Sequence, residues 1–131
     1  MSTLDSPSLE VRWDGPRATL LVDGAESSCI DTSDPTYLDF EYMQHATCAL
    51  QATFPSSAPL RVLHLGGAAC ALPWAWSLLF PSSRHTVVEI SPKIASFARE
   101  TFDLPRSPIL KIRIGEARAV IDSLRGSSFD V

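Results

Sequence analysis

The chain has 131 residues, 45% of them hydrophobic and 20% charged, a globular composition close to the size of one compact domain. That apolar content, with only six glycines, excludes disordered, collagen-like and low-complexity classes. The net charge of -4 is uneven: residues 1–59 hold nine acids against two bases and residues 60–131 six acids against nine bases, which argues against a nucleic-acid-binding arm and describes a solvated acidic surface, compatible with a cationic small partner.

In chain order, the first ten residues, MSTLDSPSLE, carry two acids, no Lys or Arg and no apolar run, so they match neither a secretory leader nor a cationic transit peptide. Leu9, Val11 and Trp13 share one face of a short strand, and Asp14-Gly15-Pro16 turns the chain. Arg17 to Val22 forms the return strand, and a second turn at Asp23-Gly24 leads to a third strand over Ser27 to Ile30. Together they predict a small antiparallel meander, too small to be stable alone. From Tyr37 to Phe54 the period changes: Leu38, Tyr42, Ala46, Ala49, Leu50 and Thr53 recur at helical spacing behind Asp34-Pro35, which predicts one amphipathic helix. Met43 and His45 within it read as packing or surface residues, since His45 has no metal-ligand partner one turn on. Pro55 to Pro59 is a connection.

After residue 59 strands and helices alternate. Leu60 to Leu65 is a nearly continuous apolar run, as a strand buried on both faces requires; Gly66-Gly67 breaks it and Ala71 to Phe80 forms a helix. The stretch from Val62 to Ser83 holds no Asp, Glu, Lys or Arg and reaches membrane-spanning length, but Gly66, Gly67, Pro73 and Pro81 divide it into a strand and a short helix. The pattern repeats as His85 to Ile90 and a helix with Ser91 as cap and Pro92 in its first position. It repeats again as Ile109 to Ile114 and Glu116 to Leu124, and Phe129-Asp130-Val131 opens a fourth strand. Such alternation specifies a parallel sheet with crossover helices. A chain that stops three residues into a strand is expected to be a fragment or a truncated reading frame, because the sheet edge is left open.

Trp74 and Trp76 share their helix with Leu78, Leu79 and Phe80 and are expected in the core. His64 and His85, in or beside buried strands, are expected to be structural histidines. Cys29, Cys48 and Cys70 are odd in number and without a CxxC pair, so neither a disulfide framework nor a zinc site is signalled and a cytoplasmic location is expected.

The chemistry concentrates in VLHLGGAACALPW at residues 62 to 74 and VVEIS at residues 87 to 91. A glycine turn after the first buried strand lets backbone approach a ligand, and Glu89, ending the next strand, is placed to hold the two ribose hydroxyls of an adenosine cofactor. The glycine pattern is GGAA rather than GxGxxG, so the turn takes its meaning from Glu89 and from the strand-helix context.

In their order and spacing these motifs resemble the spermidine synthase family, the polyamine aminopropyltransferases, and among them the spermidine synthase-like proteins of actinobacteria. LLVDGAESSCID at 20 to 31 resembles the family's strand and DG turn, DPTYLDFEYMQH at 34 to 45 its following helix, and LRVLHLGGAACALPW its first cofactor motif. VVEIS resembles the ribose-binding motif, IRIGEAR at 112 to 118 the GDAR-type adenine motif, and SFDV at 128 to 131 the beginning of the strand that leads to the catalytic acid.

The resemblance implies an α/β fold: a class I S-adenosylmethionine-dependent methyltransferase-like Rossmann half-sheet preceded by a small antiparallel β meander, with residues 1–35 forming the meander and residues 36–131 the cofactor-binding domain. It implies decarboxylated S-adenosylmethionine or S-adenosylmethionine as a bound substrate, no metal, a polyamine as acceptor, and a homodimer, with neither nucleic acid nor membrane as partner. Gly66 and Gly67 would line the methionine-like moiety, Glu89 would bind the ribose and Glu116 would sit near the adenine, with Ala68, Ile90, Gly115 and Ala117 completing the cofactor-binding set. The chain departs from the family at Ser27, where Gln is usual, at Asp39-Phe40 ahead of Glu41, at Ala68 and Ala69, the third Gly and the Asp of a GGGD turn, and at Glu116 for Asp. The family's catalytic Asp follows an FDVVVVD-type strand of which only the beginning is present, so no catalytic residue is assigned and the chain alone is expected to bind without turnover. A small-molecule methyltransferase and a non-catalytic adenosine-binding or dimerisation module are the other readings of these residues.

Overall fold

Two tight turns shape the front of the molecule. In the computed structural model, which describes residues 7–131, strands β1 (Leu9–Asp14), β2 (Arg17–Val22) and β3 (Ala25–Asp31) form an antiparallel sheet in the order β1-β2-β3. The reading of the first residues as leaderless lies mostly outside the described residues. Asp23 and Gly24, at φ +50° and +82°, make the β2-β3 turn; positive φ at both central positions matches the twist of the flanking strands. Ala18, Leu20 and Ile30 turn inward, whereas Trp13 is half exposed and lies with its ring 6.3 Å from that of Phe102.

Helix α1 (Glu41–Thr53) begins four residues later than its periodicity predicts. Asp34 accounts for the difference: its carboxylate accepts from the backbone and hydroxyl of Thr36, and its carbonyl accepts from Tyr37 N–H. A local turn of this kind competes with the helix for the same amides. Phe40, in extended conformation, is the N-cap.

The second sheet is parallel, in the order β4 (Arg61–Leu65), β5 (Arg84–Glu89), β6 (Leu110–Ile114). Helices α2 (Ala71–Leu79) and α3 (Pro92–Thr101) make the crossovers, and α4 (Ala117–Ser123) follows β6. The uncharged stretch is thus a five-residue strand and a nine-residue helix, and among the described residues no helix is long and apolar enough to cross a membrane. Residues 129–131 run along the free edge of β4: Asp130 N–H donates to the Arg61 carbonyl at 2.8 Å and Leu63 N–H to the Val131 carbonyl at 3.0 Å. The Arg61 guanidinium grips the Asp130 carboxylate at 3.1 and 3.3 Å. The expected fourth strand is therefore present as a pairing, too short to count as a regular element, and it makes β4 an interior strand.

One hydrophobic cluster joins the two sheets. Ala18, Leu20 and Ile30 of the meander pack with Leu60, Val62, Ala75, Trp76, Phe80, Ala98 and Leu110, so the meander buries its apolar face on the parallel half rather than alone. Trp76 Nε1 donates to Thr47 Oγ1 at 2.9 Å, and that hydroxyl donates to the Met43 carbonyl at 2.7 Å. This bond fixes α1 across α2 and brings the first turn of α1 over the end of β4.

Candidate ligand site

The site is built where β4 ends. Gly66 has φ +79° and its N–H donates to the Val88 carbonyl at 2.7 Å, which turns the chain off the sheet. Gly67 is required for space: a Cβ there would lie 2.3 Å from Val87 Cγ1. Ala68 and Cys70, at φ +46° and +65°, continue the turn in the left-handed region, where side chains are normally avoided. Ser28 of β3 steadies it by accepting from Ala69 N–H at 3.1 Å.

Glu89 closes the neighbouring strand and is buried. One carboxylate oxygen accepts from Gly67 N–H at 3.4 Å and the other from Ser91 N–H at 2.9 Å, so the side chain spans the β4-α2 and β5-α3 turns. A carboxylate offers about four acceptor positions, and two amides leave capacity for hydroxyls of a ligand. Ser91 in turn caps α3, accepting from Ile94 N–H at 3.2 Å.

Between these turns and the front of the molecule lies a cavity of about 470 Å³. Of the residues the resemblance assigns to the cofactor, Gly66, Gly67, Ala68 and Glu89 line it together. Ile90, Gly115, Glu116 and Ala117 do not: Ile90 is exposed, and Gly115 sits just past Glu89, donating its N–H to the Glu89 carbonyl at 3.0 Å. Both carboxylate oxygens of Glu116 are used as the α4 cap, accepting from Arg118 and Ala119 N–H at 2.9 and 3.0 Å, and these amides hold its pKa below the usual glutamate value.

The sequence reading missed much of the wall. Ser27 from β3, Tyr42 and Met43 from the first turn of α1, His64 and Leu65 from β4, and Leu72 and Pro73 from α2 complete the lining. His64 and Leu65 could have been found from their place at the carboxyl end of the first parallel strand, where such sheets bind ligands. Tyr42 and Met43 had no signal beyond helical spacing. Among the described residues Glu89 is the only charged side chain on the wall, and no Lys or Arg lines it. Among the described residues no group of His, Cys, Asp and Glu is arranged to hold a metal ion.

His64 and His85 meet beneath the glycine turn. His64 Nε2 lies 2.9 Å from His85 Nδ1, and His85 Nε2 lies 2.7 Å from Ser83 Oγ. Burial pushes the His64 pKa down to about 3, with a smaller contribution from His85, and the His85 pKa down to about 4. Cys70, buried in the same turn, has its thiol pushed up to about 12, so it carries no thiolate chemistry.

Fold and site together define a class: a methyltransferase-type Rossmann half-sheet with a glycine turn and an acidic residue on adjacent strand ends, fronted by an antiparallel meander. Within that class the chain is similar to spermidine synthases. A probable spermidine synthase from Corynebacterium glutamicum superposes with a TM-score of 0.86 at 36% identity, over 95% of this chain and 47% of that one. Human methyltransferase-like protein 13, solved in complex with SAH, gives 0.60 at 26% identity over 68% of this chain and 42% of its own. A spermidine synthase in complex with the transition-state analogue AdoDATO gives 0.66 over 96% and 43%, a likeness of fold alone at 19% identity. No protein-family model and no curated protein matches the chain. The resemblance read from the motifs thus holds over nearly the whole chain, which has an aminopropyltransferase-like fold and spans about half the length of these solved relatives.

Proposed function

We propose that the cavity at the ends of β4 and β5 binds decarboxylated S-adenosylmethionine, and that the chain is the cofactor-binding half of a spermidine synthase-like aminopropyltransferase. Residues 1–35 serve as its front wall and residues 36–131 as the cofactor domain. The observation that carries this reading is Glu89, a buried carboxylate held by two backbone amides and facing a glycine turn that admits no side chain at Gly67. Such a group accepts from both hydroxyls of a ribose. The charge of the wall agrees with a cationic sulfonium, whereas a dinucleotide pyrophosphate would find no basic side chain there among the described residues. Gly115 to Ala117 lie outside the cavity lining; Gly115 is tied to Glu89 by its N–H, and since the Glu116 carboxylate caps α4, any contact of this segment with the adenine would be through its backbone.

Aminopropyl transfer needs an unprotonated amine aimed at the carbon beside sulfur and a carboxylate to take its proton. No acid of this chain is assigned that role, so the reading predicts binding without turnover by the chain alone. The test is a thermal-shift titration with decarboxylated S-adenosylmethionine, S-adenosylmethionine and methylthioadenosine. A ligand at a hundredfold excess over its Kd stabilises by about 2.7 kcal/mol, roughly 10 °C for a domain of this size. The expected result is preference for the decarboxylated compound, lost in Glu89→Ala. Preference for S-adenosylmethionine would move the assignment to a methyltransferase, a reading favoured by the 26% identity to methyltransferase-like protein 13. Absence of any shift from the folded chain would sink both.

A further inference from the structure

Beneath the cavity runs a chain of buried polar groups with a fixed direction. Ser83 Oγ lies 2.5 Å from the Phe80 carbonyl, a contact between two oxygens that requires the serine proton to lie between them. A hydroxyl has one proton, so Ser83 must accept from His85 Nε2–H. His85 Nδ1 is then the bare nitrogen of that ring, and His64 must donate to it from Nε2. The consequence reaches the cavity: His64 Nδ1 carries no proton. His64 is only 8% exposed and lines the cavity, and among the described residues its Nδ1 has no hydrogen-bond partner, yet it is not sealed from solvent.

We propose that His64 is the specificity-determining acceptor of this site: an imidazole locked in the Nε2–H form by His85 and Ser83, presenting the Nδ1 lone pair to an ammonium or other N–H donor of the bound molecule. His85 and Ser83 are positioning residues that act through it. Burial keeps both rings neutral at physiological pH, so His64 offers a lone pair and not a positive charge. A cationic amine is thereby favoured, and a carboxylate at the same place would meet lone pair against lone pair. The choice of adenosine compounds as probes rests on the function proposed above; the tautomer does not.

Two measurements test it. Long-range proton-nitrogen NMR spectra of the unliganded chain should show His64 Nδ1 unprotonated at pH 7, and Ser83→Ala should release the lock and shift both histidines. A proton on His64 Nδ1 would overturn the proposal whatever binds. Calorimetric titrations then compare decarboxylated S-adenosylmethionine, which carries a primary ammonium, with methylthioadenosine, which does not. In His64→Phe the first should weaken about ten- to a hundredfold, the range for a lost hydrogen bond to a charged group, while the second stays within about twofold. Ser83→Ala, which leaves the cavity wall intact, should weaken the amine-bearing ligand alone and by less. Equal losses for both ligands, or none for the amine-bearing one, would overturn the proposal. If the wild-type chain binds neither compound, the adenosine reading fails and 1,3-diaminopropane becomes the probe: a displaced His64 Nδ1 resonance supports the acceptor role, and an unmoved one refutes it.

Discussion

Ala68 shows how much a single position can hold against the backbone. Its φ of +46° costs an L-residue about 1–2 kcal/mol, and Gly66 and Cys70, two residues away on either side, also take positive φ. Returning a glycine there removes the strain but adds about 0.4–1 kcal/mol of unfolded-chain entropy. Ala68→Gly should therefore raise stability by about 0.5 kcal/mol, read as a higher urea midpoint at unchanged slope. A lower midpoint would mean that the alanine methyl packs well enough to outweigh its backbone. Gly67 behaves oppositely: the 2.3 Å approach to Val87 Cγ1 makes any side chain an intrusion into the sheet. The two neighbours were equally visible in the sequence as a small-residue turn, but which of them is needed for φ and which for space is decided by β5, and no local pattern records that.

At the scale of elements, the α3 cap is the clearest case of sequence chemistry surviving intact. Ser91 accepts from Ile94 N–H, Pro92 fills the first helical position, and Ser91 N–H is itself held by Glu89. Ser91→Ala should cost about 1 kcal/mol, with hydrogen exchange accelerated at Ile94 and Ala95 before the rest of the molecule; unchanged exchange there would show that Pro92 alone sets the helix start. Strands and helices after residue 59 were legible to within about a residue because each is bounded by a breaker or cap: Gly66-Gly67, Ser91-Pro92, Gly115-Glu116. The start of α1 was not, since Asp34 draws the preceding amides into its own turn. The half of the site at the glycine turn and Glu89 was legible for the same reason, its residues being chosen for chemistry close in sequence. Ser27, Tyr42 and Met43 reach the cavity only because the Trp76–Thr47 bond seats α1 across α2 and the meander packs on the parallel sheet. His64 could be placed on its strand, but that its ring meets His85, which the β4-β5 register sets opposite Val62, came only from the fold.

For the molecule as a whole, that histidine pair couples folding to pH. Both rings are neutral in the native state, with pKa values near 3 for His64 and near 4 for His85 because burial penalises the charged form, whereas in the unfolded chain both titrate near the ordinary 6.5. Below about pH 6.5 the unfolded state therefore binds more protons than the native state, and stability must fall as pH falls. Above that value the contribution is fully present. Each histidine supplies a slope of up to about 1.4 kcal/mol per pH unit, and the loss continues until the native rings themselves protonate near pH 4 and 3. The carboxylates whose pKa values are lowered, Asp31 by Ser33 and Arg17, Glu116 by the α4 amides and Asp130 by Arg61, lose their contribution in the same direction but only once pH reaches the carboxylate range. The order of events separates the two: resistance to urea should be nearly unchanged between pH 8 and 7, fall from pH 6.5 to 5 with a proton uptake approaching two, and below 4 keep falling through the carboxylates as the histidine contribution runs out. A flat profile between pH 7 and 5 would mean that the pair is hydrated or already protonated in the native state, and the bare Nδ1 assigned to His64 would go with it.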